Sequence, residues 1–167
     1  NETPDILCLQ EADWHCIRTG KQNIALKIAQ KLGYKYVTFT TAFVEVDHED
    51  LKQHLRDFPK SKRHRPRLGR GAGVMGQAVL SKYPIIANGA IKLTTETFNY
   101  SDPRSFFAQI APIHGGRIAQ KVKIKIGGRE IVVYNTHLES ICGPSGRLAQ
   151  YRQIKDDAEH EEDPAII

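Results

Sequence analysis

The sequence predicts one mixed α+β domain, and three observations carry that prediction. At 167 residues the chain is long enough for one ordinary core and too short for two. Its first half alternates strand-like and helix-like segments, whereas its second half is a run of strands closed by a helix. With 40% hydrophobic and 26% charged residues, the composition excludes a wholly disordered, collagenous or disulfide-scaffold protein.

The elements follow in order. Residues 5–9 form a short apolar run after Pro4, the pattern of a strand buried on both faces. Over residues 22–32, Ile24, Ala25, Ile28, Ala29 and Leu32 recur at helical spacing, and Gly33 supplies a left-handed stop. Residues 36–46 are rich in aromatic and β-branched side chains and read as strand, with a short helix expected near 50–55. Two strands over 77–81 and 85–93 join at Tyr83-Pro84, and 104–113 suits another. Val122, Ile124 and Ile126 then alternate with Lys121, Lys123 and Lys125, a strand with one dry and one wet face, and Gly127-Gly128 marks a tight hairpin. Residues 131–134 are apolar throughout, as in an interior strand covered on both sides. Residues 145–162 are helical in character, and 164–167 open one more strand.

Charge is unevenly spread. The formal net charge is +5, and eight Lys/Arg against the single acid Asp57 fall between Lys52 and Arg70, punctuated by Pro59, Pro66 and Gly69. This basic loop, about residues 52–73, is either a solvated insertion or a polyanion-binding segment, with Arg63, Arg65, Arg67 and Arg70 as phosphate contacts. Six acids and no Lys or Arg lie between Asp156 and Asp163. The odd set Cys8, Cys16 and Cys142 contains no CxxC pair, which disfavours a zinc ribbon and leans toward a reducing compartment. The sequence shows no nucleophile elbow, P-loop, dinucleotide fingerprint or membrane-length apolar run, and no visible targeting signal.

Polar residues close two of the apolar strands: Gln10-Glu11 after residues 6–9, and Asn135, His137 and Glu139 after residues 131–134. Strand ends are where α/β proteins commonly build sites, because the sheet fixes the side chains and the loops leave room for a ligand. Period-two geometry places Leu7, Leu9 and Glu11 on one face, and Val133, Asn135, His137 and Glu139 on another. Glu11 and His137 then meet only if their strands face one cleft. Taken singly, Glu11 also reads as a capping or surface carboxylate, and His137 as a hydrogen-bonded histidine at a strand exit.

Three segments occur in a telling order: Pro4-Asp5-Ile6-Leu7-Cys8-Leu9-Gln10-Glu11, Gly76-Gln77-Ala78-Val79-Leu80-Ser81-Lys82-Tyr83-Pro84-Ile85, and Tyr134-Asn135-Thr136-His137-Leu138-Glu139. With the Arg147-x-x-Gln150 start of a helix, they resemble the endonuclease/exonuclease/phosphatase superfamily, the DNase I-like fold. The resemblance implies a four-layer sandwich, two β-sheets face to face with helices outside, and a Mg²⁺-dependent phosphoesterase cleft, with Mn²⁺ as a substitute ion. It assigns Glu11 to the metal and His137 to the scissile phosphate and leaving oxygen. Asn135 and Glu139 are supporting, as is Gln77, which stands where many members have asparagine.

The family's opening asparagine strand and its later G-D-x-N and D-H motifs are not in the sequence. The expectation is therefore a partial domain over residues 1–167, truncated at both ends and with little catalysis alone. The implied substrate is a phosphate ester, with nucleic acid favoured over membrane lipid and no obligate protein partner. A sphingomyelinase-like or inositol-phosphatase-like hydrolase and a non-catalytic polyanion-binding module are the alternatives.

Overall fold

The computed structural model describes residues 3–45, 73–94 and 113–167. The basic loop, with Arg63, Arg65, Arg67 and Arg70, the short helix expected near 50–55 and most of the strand expected over 104–113 lie outside the described residues.

Among the described residues, eight strands and two α-helices run in the order β1 (Ile6–Trp14), α1 (Ile24–Leu32), β2 (Tyr36–Glu45), β3 (Gly73–Ser81), β4 (Ile85–Lys92), β5 (Ile113–Gly115), β6 (Ile118–Ile126), β7 (Arg129–Thr136), α2 (Gly143–Glu159) and β8 (Ala165–Ile166). A 3-10 turn at Ile17–Thr19 separates β1 from α1. Among these, β1-β3-β2-β5 form one sheet and β4-β6-β7-β8 a second; all neighbours are antiparallel except β7 and β8.

The two sheets pack face to face. Val79 of β3 meets Val122 and Ile124 of β6 and Val133 of β7, with Ile6 and Cys8 of β1 against them. The outer face of the first sheet carries α1, where Ala25 and Ala29 pack on Ala12, Ala78 and Leu80. On the outer face of the second sheet, Ile154 of α2 packs on Ala119, Val132 and Tyr134. The result is the expected α/β/β/α four-layer sandwich.

Local chemistry explains the element boundaries. Asn23 caps α1 by accepting from the Leu26 N–H at 2.9 Å, and Gly33 ends it with φ 78°. Gly127 and Gly128, at φ 56° and 85°, make the primed turn that sets the β6–β7 register from Ile126↔Arg129 to Ala119↔Thr136. That hairpin brings the start of β6 beside the end of β7, which is where the site forms.

One expectation is corrected. The lysine face of β6 is not simply wetted: Lys121 pairs with Asp157 at 2.6 Å and with Glu161, and Lys123 pairs with Asp163 at 2.8 Å. The acidic run after residue 155 thus lies along the lysine stripe. Lys125 follows the expectation and is exposed.

Candidate active site

The site is built where a bulge in the middle of β1 lies beside the end of β7, a strand of the other sheet. In β1 the ladder to β3 runs Leu9↔Ala78 and then Ala12↔Gly76, so Gln10 and Glu11 together oppose Gln77. This is a β-bulge, and Glu11 takes φ 51°, a left-handed conformation that costs a non-glycine residue about 1–2 kcal/mol. It overturns the period-two assignment of Glu11 to the face of Leu7 and Leu9. Those two leucines and Ala12 pack toward α1, whereas Gln10 and Glu11 both reach partners in the second sheet.

Gly76 pairs with Ala12 just beyond this break and lies hard against β2. A Cβ there would lie 2.0 Å from the Thr40 carbonyl oxygen, so β2 approaches β3 closely at the point where both of its neighbours are irregular. On the other side β2 bulges between Thr41 and Phe43, and the Ala42 carbonyl accepts from the Gly116 N–H at 3.0 Å. A Cβ on Gly115 would meet that same carbonyl at 2.1 Å. The second bulge therefore draws the residues leading into β6 against β2.

Buried amides hold the two sheets in register here. Gln10 Nε2 donates to Asn135 Oδ1 at 2.6 Å, while Asn135 Nδ2 reaches the Leu9 and Ala78 carbonyls, each at 3.0 Å, and Gln120 Oε1 at 3.3 Å. Gln120 Nε2 in turn donates to Asn88 Oδ1 at 2.9 Å and Thr40 Oγ1 at 3.1 Å. Asn135 and Gln120 are fully buried, so their amides would be costly without these partners.

Asn135 within β7 bonds into the first sheet, and past the strand's end His137 comes to Glu11 while Glu139 reaches Arg117. His137 Nδ1 lies 3.4 Å from Glu11 Oε1 without hydrogen-bond geometry, and that nitrogen is buried with no other partner. Glu11 remains 48% exposed and His137 38%. Glu139 is buried: Oε1 accepts from the Ile141 N–H at 3.1 Å, and its own N–H donates to Gln150 Oε1 at 2.8 Å. The Arg147-x-x-Gln150 segment thus fixes the loop after His137 through Gln150. Gln77 is buried opposite the bulge, donating from Nε2 to the Ile118 carbonyl at 3.2 Å with Oε1 unpartnered, and makes no hydrogen bond to Glu11 or His137.

Two residues escape the sequence reading. Gln120 joins the amide network, and Arg117 bridges two carboxylates, donating from Nη1 to Glu11 Oε1 at 3.3 Å and from Nε to Glu139 Oε2 at 3.2 Å. Its guanidinium also lies 5.5 Å from the centre of the Phe43 ring. A signal for Arg117 exists in the Gly127-Gly128 hairpin: counting its register outward places residue 117 opposite residue 138, between His137 and Glu139.

The chain matches the Endonuclease/Exonuclease/phosphatase family over residues 1–167. It belongs to that family. No curated protein matches it in sequence. Among solved structures, an endonuclease/exonuclease/phosphatase from Beutenbergia cavernae superimposes with a TM-score of 0.56 at 20% identity, covering 96% of this chain and 36% of that one. A family protein from Leptotrichia buccalis does so with a TM-score of 0.51 at 13% identity, covering 95% and 51%. At these identities the likeness is one of fold. The chain spans about a third to a half of the length of these two relatives.

The family implies a divalent metal, and Glu11 fits as one ligand. A hard cation such as Mg²⁺ takes one or two carboxylates and keeps several waters. Glu11 is half exposed, and its Oε2 takes no hydrogen bond among the described residues. Glu139 does not fit, being buried with both oxygens engaged. Among the described residues no three His, Cys, Asp or Glu side chains converge on a metal position. Clefts of about 410 and 240 Å³, lined in part by Tyr36 and Ile86 and by Gly89 and Lys123, do not include Glu11 or His137.

Proposed function

We propose that the chain carries one wall of the catalytic cleft of a Mg²⁺-dependent phosphoesterase that hydrolyses phosphodiester or phosphomonoester bonds, with nucleic acid as the favoured substrate. The observation that carries this reading is the meeting of Glu11 and His137, from separate sheets, at 3.4 Å. The bulge with left-handed backbone at Glu11 turns its carboxylate away from α1 and toward His137 and Arg117.

In hydrolysis, a water oxygen bonds to phosphorus, the ester P–O bond breaks, and the departing oxygen takes a proton. His137 stands where an imidazole can hydrogen-bond a phosphoryl oxygen or supply that proton, with Nδ1 held toward Glu11. Glu11 would hold the metal, which when bound neutralises charge on the phosphoryl oxygens. Asn135 holds the strand that presents His137, and Glu139 anchors the loop that follows. Further groups would complete the metal shell and supply the base that activates water.

The arginine-rich stretch supports nucleic acid as the substrate class. Arg63, Arg65, Arg67 and Arg70 would contact backbone phosphates, and such contacts make affinity fall steeply with salt. Three free thiols suit a reducing compartment.

The test uses the protein that carries this chain. With Mg²⁺, Glu11→Ala and His137→Ala each lower phosphate-ester hydrolysis about 100-fold or more. Full activity in either variant overturns the assignment. Salt-insensitive binding of a nucleic acid would move the substrate to a lipid or small phosphate ester.

A further inference from the structure

We infer that Arg117 and Glu139 form a positioning unit for Glu11, in which buried Glu139 aims the guanidinium and the guanidinium places the carboxylate. The inference rests on the proposed role of Glu11 and adds to it two residues that act through Glu11 rather than on the substrate.

Burial decides which partner orders which. Glu139 is 2% exposed in its side chain and Arg117 10%, whereas Glu11 is 48% exposed. The Glu139 carboxylate cannot turn, because Oε1 is tied to the Ile141 N–H and its backbone N–H to Gln150. Arg117 is therefore gripped through Nε by a fixed anion, and its face rests on Phe43, itself buried at the second bulge. The Nη1 edge is what extends to Glu11. An exposed ion pair alone orders little, since it is worth about 0–1 kcal/mol. A guanidinium already held on its other edge and face loses little further freedom when it meets Glu11, so the half-exposed glutamate is the side chain that becomes ordered.

Charge points the same way. Arg117 balances one of the two carboxylates. The buried one must be balanced to be tolerated, so among these three groups one negative charge is left, at Glu11, where a cation would bind. Without Arg117, two carboxylates would repel across the position that Glu11 must hold.

The experiment compares Arg117→Met, Arg117→Lys, Glu139→Gln and Glu11→Gln in the protein that carries this chain. It reads kcat and KM for a phosphate ester, Mn²⁺ affinity by titration without substrate, and the thermal midpoint. Arg117→Met and Glu139→Gln are expected to weaken Mn²⁺ binding and lower kcat by about 10- to 100-fold, the usual range for a residue that orients a metal ligand, with KM little changed. Arg117→Lys should restore the midpoint but not kcat, because one ammonium cannot span both carboxylates. Combining Arg117→Met with Glu139→Gln should cost no more than either alone. Wild-type Mn²⁺ affinity and kcat in Arg117→Met, or a multiplicative loss in the double variant, overturns the inference. If Glu11→Gln is inactive while Arg117→Met is not, the inference alone falls. A fully active Glu11→Gln protein would remove the proposed function and the inference with it.

Discussion

Gln10 and Asn135 join the two sheets at the point where β1 leaves its ladder. Gln10 donates to Asn135 at 2.6 Å, and Asn135 returns its amide to the carbonyls of Leu9 and Ala78, the last paired rung before the break. The side chain of one sheet thus fills a gap in the backbone pairing of the other. Glu11 is the next residue along, so the same contact that closes the sandwich sets where the carboxylate stands.

Removing that amide should therefore unsettle both fold and site. Asn135→Ala leaves the Gln10 amide, Gln120 Oε1 and two strand carbonyls short of a partner, and we expect a loss of about 1–3 kcal/mol in urea unfolding of the protein carrying this chain. Hydrolysis should fall in the folded variant as well, because the amide of Asn135 ties the residues flanking the bulge to β7. Unchanged stability would show that the amide network is not what holds the sheets in register.

Gly76 offers a steric test of the bulge. Its Cβ would sit 2.0 Å from the Thr40 carbonyl, and backbone cannot yield as a flexible side chain can. Gly76→Ala is expected to cost about 2 kcal/mol or more, or to prevent folding, whereas Gly89→Ala, with nothing within 4 Å, should stay within about 0.5 kcal/mol of wild type. Equal thermal midpoints for the two variants would contradict the close approach of β2 and β3.

Tyr134 makes an alkaline prediction. Burial, and then its 2.5 Å hydrogen bond to Asp157, push its phenol up from 10.0 to about 12. The folded state thus favours the neutral phenol, and that contribution is complete below pH 10 and lost as pH rises toward about 12. Cys16 adds a similar loss: burial, then the charges of Glu45 and Asp13, raise its thiol from 9.0 to about 11. Urea midpoints measured across this range should fall less steeply for Tyr134→Phe than for wild type, with the Cys16 part common to both. Parallel slopes would mean that Tyr134 titrates alike in the folded and unfolded chains.

Much of this architecture is legible in the amino-acid sequence, for local reasons. Gly33 ends α1, and the Val/Ile–Lys alternation and the paired glycines specify β6, β7 and their register. Period-two counting fails at Glu11 because a bulge leaves no mark in the hydrophobic pattern: Gln10 and Glu11 are both polar. Arg117 escapes for a related reason. Its importance comes from a neighbour reached through a hairpin, and a single arginine after Gly115-Gly116 looks like any surface cation until the register is counted outward. The lysines of β6 look solvent-facing for want of the acids, which lie more than thirty residues away in sequence.

The central claim is that the bulge of β1 and the end of β7 form one site, and a double-mutant cycle on Glu11 and His137 tests it most directly. The quantity is kcat/KM for phosphate-ester hydrolysis by Glu11→Gln, His137→Ala and the pair, in the protein carrying this chain with saturating Mg²⁺. Residues that act on one reaction as a unit are strongly non-additive. The account predicts single losses of about 100-fold or more, and a double variant little worse than the weaker single. Wild-type activity in either single variant, or losses that multiply in the double, would contradict it.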